Sequence, residues 1–249
     1  MRVTIIGVGG IGSNLADWIA QFLASQPHPS TFTLTLVDGD VFEPPNIERQ
    51  SFRRIGPKAT VKAEELREKF PKLQIDALAE YITPENAAFI LLPEEVVLLC
   101  VDNHKTRKLV SDEAGHVDNI VVISGGNDAA IGNGMIYVRK DGKDCTPPFT
   151  QDHPEISEPR DRAPYEMSCQ ELAESGVPQI FFANLNAAIG MANAFWRWLK
   201  DPEKFLSEKL GDLEVETAYT EFWFDMYRNT CMSRRVVPAP HIAERSETA

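Results

Sequence analysis

Cysteine is scarce in this 249-residue chain, and Cys100, Cys145, Cys169 and Cys231 lie far apart with no C-x-x-C pair among them. That spacing argues against a disulfide framework and against a zinc site built on paired thiols. The five histidines, His28, His104, His116, His153 and His241, share no metal-ligand spacing either, and none is assigned. Positive charge is in deficit: 25 Lys+Arg stand against 37 Asp+Glu, a formal charge of −12. A surface of that sign repels phosphate backbones and anionic headgroups, so no nucleic-acid or membrane partner is expected and a basic protein partner suits it better. Long apolar runs are lacking too. The greasiest stretch, IFFANLNAAIGMANAFW from Ile180, is interrupted by Asn184, Asn186 and Asn193 and reads as a buried helix rather than a membrane span. The opening MRVTII lacks the apolar length and cleavage site of a signal peptide, which predicts a cytoplasmic protein. No internal repeat is evident.

What is present is alternation. Val3 to Ile6 reads as a strand, Gly12 to Ala24 as a helix, and FTLTLVD as a second strand with strict period two. The pattern continues through a helix over Lys62 to Phe70, a strand near Leu73 to Ala79, a helix after Pro84, the apolar strand VVLLCV ending at Val101, a helix from His104 and the strand IVVIS ending at Ser124. Fully apolar strands between helices predict an α/β fold, a doubly wound Rossmann-like sheet covered on both faces. Residues 139–170 carry prolines at 147, 148, 154, 159 and 164 and read as a long mobile crossover loop. A helix from Val177 to Leu199 and strands around Tyr219 to Tyr227 and Arg234 to Val237 make a small β-rich extension over 171–237, and 238–249 is a loose tail. The whole chain, with residues 1–138 as its nucleotide-binding half, is expected to form one domain.

The chemistry begins at GVGGIGS. Gly7, Gly9 and Gly12 fit G-x-G-x-x-G, with Gly10 a fourth, and such a loop lets backbone N–H groups approach a phosphate at a helix N-terminus. Asp38, closing the second strand, could accept hydrogen bonds from ribose hydroxyls. Those features alone would fit NAD as well as ATP. The segment DGDVFEPPNIERQSFRRIGPK then adds Asp40, Asn46, Arg49 and Lys58. A triphosphate needs cations around it before an anionic nucleophile can reach its α-phosphorus, so this cluster favours ATP.

With these motifs in view, the chain resembles the ThiF/MoeB family, the adenylating domain shared with ubiquitin-activating enzymes. The likeness rests on GVGGIGS, on DGDVFEPPNIERQ against D-x-D-x-V-x-x-x-N-x-x-R-Q, on IGPKA against G-x-x-K, and on CVDNHKTR against C-x-D-N-x-x-x-R, in that order. It implies that Asp38 binds the ATP ribose, that Asn46 lies against the nucleotide and α-phosphate, and that Arg49 and Lys58 hold the triphosphate. Lys62, one turn beyond Lys58, is an alternative phosphate ligand. Asp102 would position magnesium, with Asn103 and Arg107 shaping the helix start, and Asp102 could also be that helix's N-cap. The implied reaction is attack of a protein's C-terminal carboxylate on the α-phosphate of ATP. The implied partner is a ubiquitin-like or sulfur-carrier chain ending in Gly-Gly, and the implied assembly is a homodimer.

Cys169, at the base of the crossover loop before a helix-like run, could accept the acyl group as a thioester, or could simply pack there. Cys145 and Cys231 are weaker candidates, and Cys100, within an apolar strand, belongs to the core. Phe195, Trp196 and Trp198 read as core or dimer contact. Three other readings remain open: an NAD-binding oxidoreductase, a catalytically incomplete nucleotide-binding scaffold in an activating complex, and adenylation of a small carboxylate such as a peptide end.

Overall fold

The computed structural model describes residues 1–47, 50–167, 180–206, 209–210, 213–214 and 219–236. Chain order runs β1 (Arg2–Ile6), α1 (Gly12–Ala24), β2 (Thr33–Val37), β3 (Val41–Phe42), β4 (Gly56–Pro57), α2 (Lys58–Lys69), β5 (Gln74–Leu78), α3 (Ala87–Ile90), β6 (Glu95–Leu99), α4 (His104–Ala114), β7 (Ile120–Asp128), β8 (Ile131–Lys140), β9 (Lys143–Asp144) and α5 (Pro154–Ser157). It continues with α6 (Phe181–Lys200), α7 (Pro202–Leu206), β10 (Lys209–Leu210), β11 (Leu213–Glu214), β12 (Glu221–Asp225) and β13 (Thr230–Arg234).

The main sheet has the order β13-β12-β8-β7-β6-β1-β2-β5, with β9 on β8. The run β5-β2-β1-β6-β7 is parallel, while β8, β12 and β13 continue it antiparallel. Because side chains alternate across each strand, Val3 and Ile5 point into one core with Leu15, Ile19 and Leu23 of α1 and Met191 and Phe195 of α6. Ile6 and Leu99 point into the other, with Val110 of α4 and Phe149 and Ile156 of the crossover segment. Each fully buried aliphatic side chain contributes about 2 kcal/mol through removal from water.

The chain's period-two and period-3.6 patterns foretell the central elements closely, and differences fall at the margins. Helix α2 starts at Lys58 rather than Lys62, because Pro57 sets the entry φ and the Lys58 N–H is taken by the Asp40 carbonyl at 2.9 Å. The C-terminal β-rich extension continues the main sheet, since β12 lies along β8. Its aromatic residues explain the fit: Phe224 and Phe222 occupy the spaces where β-carbons on Gly132 and Gly134 would otherwise sit. The crossover segment is fastened at several points instead of hanging free. Phe149 N–H bonds Ser111 Oγ at 3.1 Å, Ile156 and Ala163 are buried, and His153 reaches Glu221 at 2.9 Å. No helix among the described residues is long and apolar enough to cross a membrane.

Candidate functional site

The parallel sheet reverses direction of winding at β1, with β2 and β5 on one side and β6 and β7 on the other. Ligands in open α/β sheets bind at the carboxyl ends of the strands flanking such a reversal. That is where the glycine loop lies. Gly7 adopts φ +87°, and a Cβ there would meet the Cys100 carbonyl oxygen at 2.9 Å. A Cβ on Gly12 would come within 1.9 Å of the Gly7 carbonyl, so the loop folds back on itself only without side chains. At Gly9, by contrast, the Cβ direction opens onto empty space, which leaves a cradle of backbone at the start of α1. Gly10 is held from behind by Asn14 Nδ2, which donates to its carbonyl at 2.9 Å.

Asp38 faces this loop from the end of β2. Its carboxylate accepts the Val8 N–H at 2.5 Å and the Asp40 N–H at 2.7 Å. Burial pushes its pKa up to about 6, with Asp40 adding to the rise and Lys58 and the two backbone donors opposing it. Asp40 is itself a hub. Its Oδ2 accepts from Lys58 Nζ at 2.8 Å, and its other oxygen accepts from the Tyr81 hydroxyl. Lys58 is buried, so this pair fixes the position of its ammonium beside Asp40.

Lys62 lies one turn further along α2. It is fully buried, paired with Asp17 at 3.0 Å and Glu65 at 3.4 Å, and lies over the Phe52 ring. Asn46 ends a short 3-10 turn after β3, and its Oδ1 accepts the Glu43 N–H at 3.1 Å. Arg49 and Cys169 lie outside the described residues.

Asp102 is exposed at the carboxyl end of β6. It is not the N-cap of α4. That role falls to Asn103, whose Oδ1 accepts the Thr106 N–H at 2.8 Å. Asp102 is thereby left without a capping duty. Arg107, in the same motif, is buried and braces the turn by donating to the Val101 carbonyl at 3.0 Å. Cys100 packs in the core with Met191, and burial drives its thiol far above the ordinary cysteine range. Cys145 is half-buried and Cys231 is exposed on β13.

Two site-shaping residues carry no motif signal. Tyr81 stacks over Gly39, where a Cβ would lie 2.7 Å from its ring, and orients Asp40. Asp161 of the crossover segment accepts from His104 N–H at 2.5 Å and Lys105 N–H at 3.1 Å, so the segment is docked on the first turn of α4 beside Asp102. A single charge-rich loop sequence offers no way to tell this aspartate from its neighbours. The aromatic trio of α6 divides: Phe195 is core, Trp198 is half-buried against Phe205, and Trp196 is 51% exposed.

The residues present suit a nucleotide triphosphate: an open backbone cradle at a helix start, an acidic acceptor at the ribose distance of one strand, and an aimed lysine. They suit magnesium less completely by themselves. Among the described residues no group of three His, Cys, Asp or Glu converges, so a bound Mg2+ would rely on Asp102 together with phosphate oxygens and water, the usual donor set for that ion.

The profile of the ThiF family matches residues 1–197, and the chain belongs to that family. The adenylyltransferase and sulfurtransferase uba4 of Aspergillus fumigatus is 37% identical over 117 residues, 45% of this chain and 22% of that protein. The chain thus matches about a fifth of the length of that relative. Among solved structures, Escherichia coli MccB with ATP superposes with TM-score 0.67 at 17% identity, covering 96% of this chain and 65% of that one. MccB with MccA gives TM-score 0.68 at 17% identity over 97% of this chain and 65% of that one. These two likenesses establish a shared fold.

Proposed function

We propose that this chain is an adenylyltransferase, consuming Mg-ATP to adenylate the C-terminal carboxylate of a ubiquitin-like or sulfur-carrier protein ending in Gly-Gly. The observation that carries the reading is the constellation at the end of β1 and β2: an open glycine cradle, a buried Asp38 and a lysine aimed by Asp40. Membership of the ThiF family and the likeness to a uba4 adenylyltransferase support it.

In the reaction, a carboxylate oxygen of the partner forms a bond to the α-phosphorus, and the bond from that phosphorus to the bridging oxygen breaks. The electron pair leaves with pyrophosphate. No general base is required, because the attacking carboxylate is already ionised. Gly7, Gly9, Gly10 and Gly12 cradle phosphates, Asp38 takes the ribose hydroxyls, and Asn46 lies beside the α-phosphate. Arg49 and Lys58 offset the charge that builds on the triphosphate. Asp102 would hold magnesium, with Asn103 securing the turn beside it, and the ion would supply further charge neutralisation. Cys169 is the candidate for a later thioester. The assembly is a homodimer and the location cytoplasmic in this reading.

ATP–pyrophosphate exchange with magnesium and a Gly-Gly-ended carrier tests it. Exchange should disappear in Asp102→Ala and persist in Cys169→Ala, since the thiol acts only after adenylation. ATP binding with no exchange by the wild type would favour a scaffold role, and tighter binding of NAD than of Mg-ATP would favour an oxidoreductase. Sedimentation at several protein concentrations reads the dimer directly.

A further inference from the structure

Two asparagines at the reactive edge of the sheet have no partner for any polar atom of their side chains. Asn184 of α6 is fully buried, and neither its Oδ1 nor its Nδ2 makes a hydrogen bond among the described residues. The same is true of both carboxamide atoms of Asn127 near the end of β7, which are likewise shielded from water. Four such atoms in one protein are costly, since each buried unpaired group forgoes about 1–3 kcal/mol of solvation.

The two side chains share a side of the sheet and a direction. Gly125 of β7 is covered by Met191 of α6, whose Sδ lies 2.4 Å from where a Cβ would be. Asn127 is two residues further along β7 on the same face, roughly 7 Å toward the strand's carboxyl end. Asn184 precedes Met191 by seven residues on the same buried stripe of α6, roughly 10 Å along the axis. The helix runs toward the opposite edge from there, because Phe195 meets Phe22 at the far end of α1 with ring centroids 6.0 Å apart. Both carboxamides are thus displaced from the Met191–Gly125 contact toward the edge that carries the glycine loop.

A carboxamide presents one strong acceptor and two donors. Phosphate, which only accepts, would leave both Oδ1 atoms bare, and a cation would leave both NH2 groups bare. A peptide unit offers one N–H and one C=O and satisfies both. We infer that Asn127 and Asn184 bind the main chain of an extended polypeptide segment, the residues just upstream of the carboxylate that is adenylated. This rests on the adenylation reading above. The interaction recognises backbone rather than side chains, which suits a tail of glycines.

The test uses Asn184→Leu, of nearly the same volume, and Asn127→Ala. In the free protein Asn184→Leu should raise the melting temperature by about 2–4 °C, because unpaired groups leave the interior. A fall instead would mean internal partners and overturn the inference. Calorimetry then measures binding of a non-hydrolysable ATP analogue with magnesium, followed by a synthetic ten-residue peptide ending in Gly-Gly carboxylate. Each variant should keep the analogue's affinity and weaken the peptide by roughly tenfold. Replacing the last amide of the peptide by an ester should weaken binding to the wild type and not further weaken binding to Asn184→Leu. Peptide affinity unchanged in both variants, or no peptide binding by analogue-loaded wild type, overturns the inference. Failure of the wild type to bind the analogue sinks the adenylation reading instead.

Discussion

Asp38 shows how one residue can carry both a structural and a functional load. Its carboxyl secures the glycine loop through Val8, yet burial holds its pKa near 6. The sign follows directly. A carboxyl whose folded pKa lies above its unfolded value of 3.8 favours the folded state at low pH, and that contribution is lost as pH rises from about 4 to about 6. Ribose hydroxyls donate to the ionised form, so ATP affinity should fall below pH 6, by at most about tenfold per pH unit, and Asp38→Asn should flatten the profile. Titration of a fluorescent ATP analogue between pH 5 and 8 reads this, and a flat wild-type profile would take Asp38 away from the ribose. Lys58 and Lys62 separate by the same kind of reasoning. Both are buried in ion pairs, so Lys58→Ala, which unpairs Asp40, and Lys62→Met, which unpairs Asp17 and Glu65, should each cost about 2 kcal/mol in urea unfolding, and exchange lost in Lys58→Ala but kept in Lys62→Met separates their roles. Gly12→Ala forces a Cβ against the Gly7 carbonyl and should cost about 3 kcal/mol or more.

Between elements, the crossover segment is joined to the molecule at two ends of a charged line. Asp161 accepts from the first two N–H groups of α4, and His153 is clasped by Glu221 and Glu155, each at 2.9 Å, with Arg234 on the far side of Glu221 at 2.7 Å. The bond to Glu221 raises the His153 pKa above its ordinary 6.5 despite burial, with Glu155 assisting. A histidine raised on folding stabilises fully below its unfolded pKa, and the contribution disappears as pH climbs through the folded one. Hydrogen exchange of residues 150–160 should therefore quicken above pH 6.5 by more than the intrinsic base-catalysed rate, and His153→Ala should show the fast rate at every pH. Equal protection of wild type and variant across the range would dissociate the segment's attachment from this histidine.

At the scale of the whole molecule, β12 and β13 matter because they prolong the main sheet. Phe222 also fills the space over Gly190 of α6, so the hairpin locks α6 to β8. Deleting residues 219–249 should bare the β8 edge, lower the melting temperature by more than 10 °C and promote aggregation. Light scattering and thermal melts of the shortened chain would show it. A soluble truncation melting as the full chain does would mean that the hairpin is an ornament.

Much of this was legible in the chain itself, for a physical reason: a strand buried on both faces reads as an unbroken short apolar run, as in Val3 to Ile6, and a helix buried on one face repeats every third or fourth residue, as in Gly12 to Ala24, so both patterns survive in one dimension. The tight turn of the glycine loop was legible too, because spaced glycines mark a backbone conformation that side chains would block. The sequence by itself thus determined the α/β class, the doubly wound character of the sheet and the family. Only the tertiary structure decided which groups were already spoken for. Lys62 is spent on Asp17 across 45 residues, Asp161 reaches α4 across 57, and Asn103 rather than Asp102 caps that helix. Such pairings depend on distances between segments remote along the chain, where loop closure erases any periodic signature. The unpaired carboxamides of Asn127 and Asn184 belong to the same class: only packing reveals that nothing among the described residues answers them.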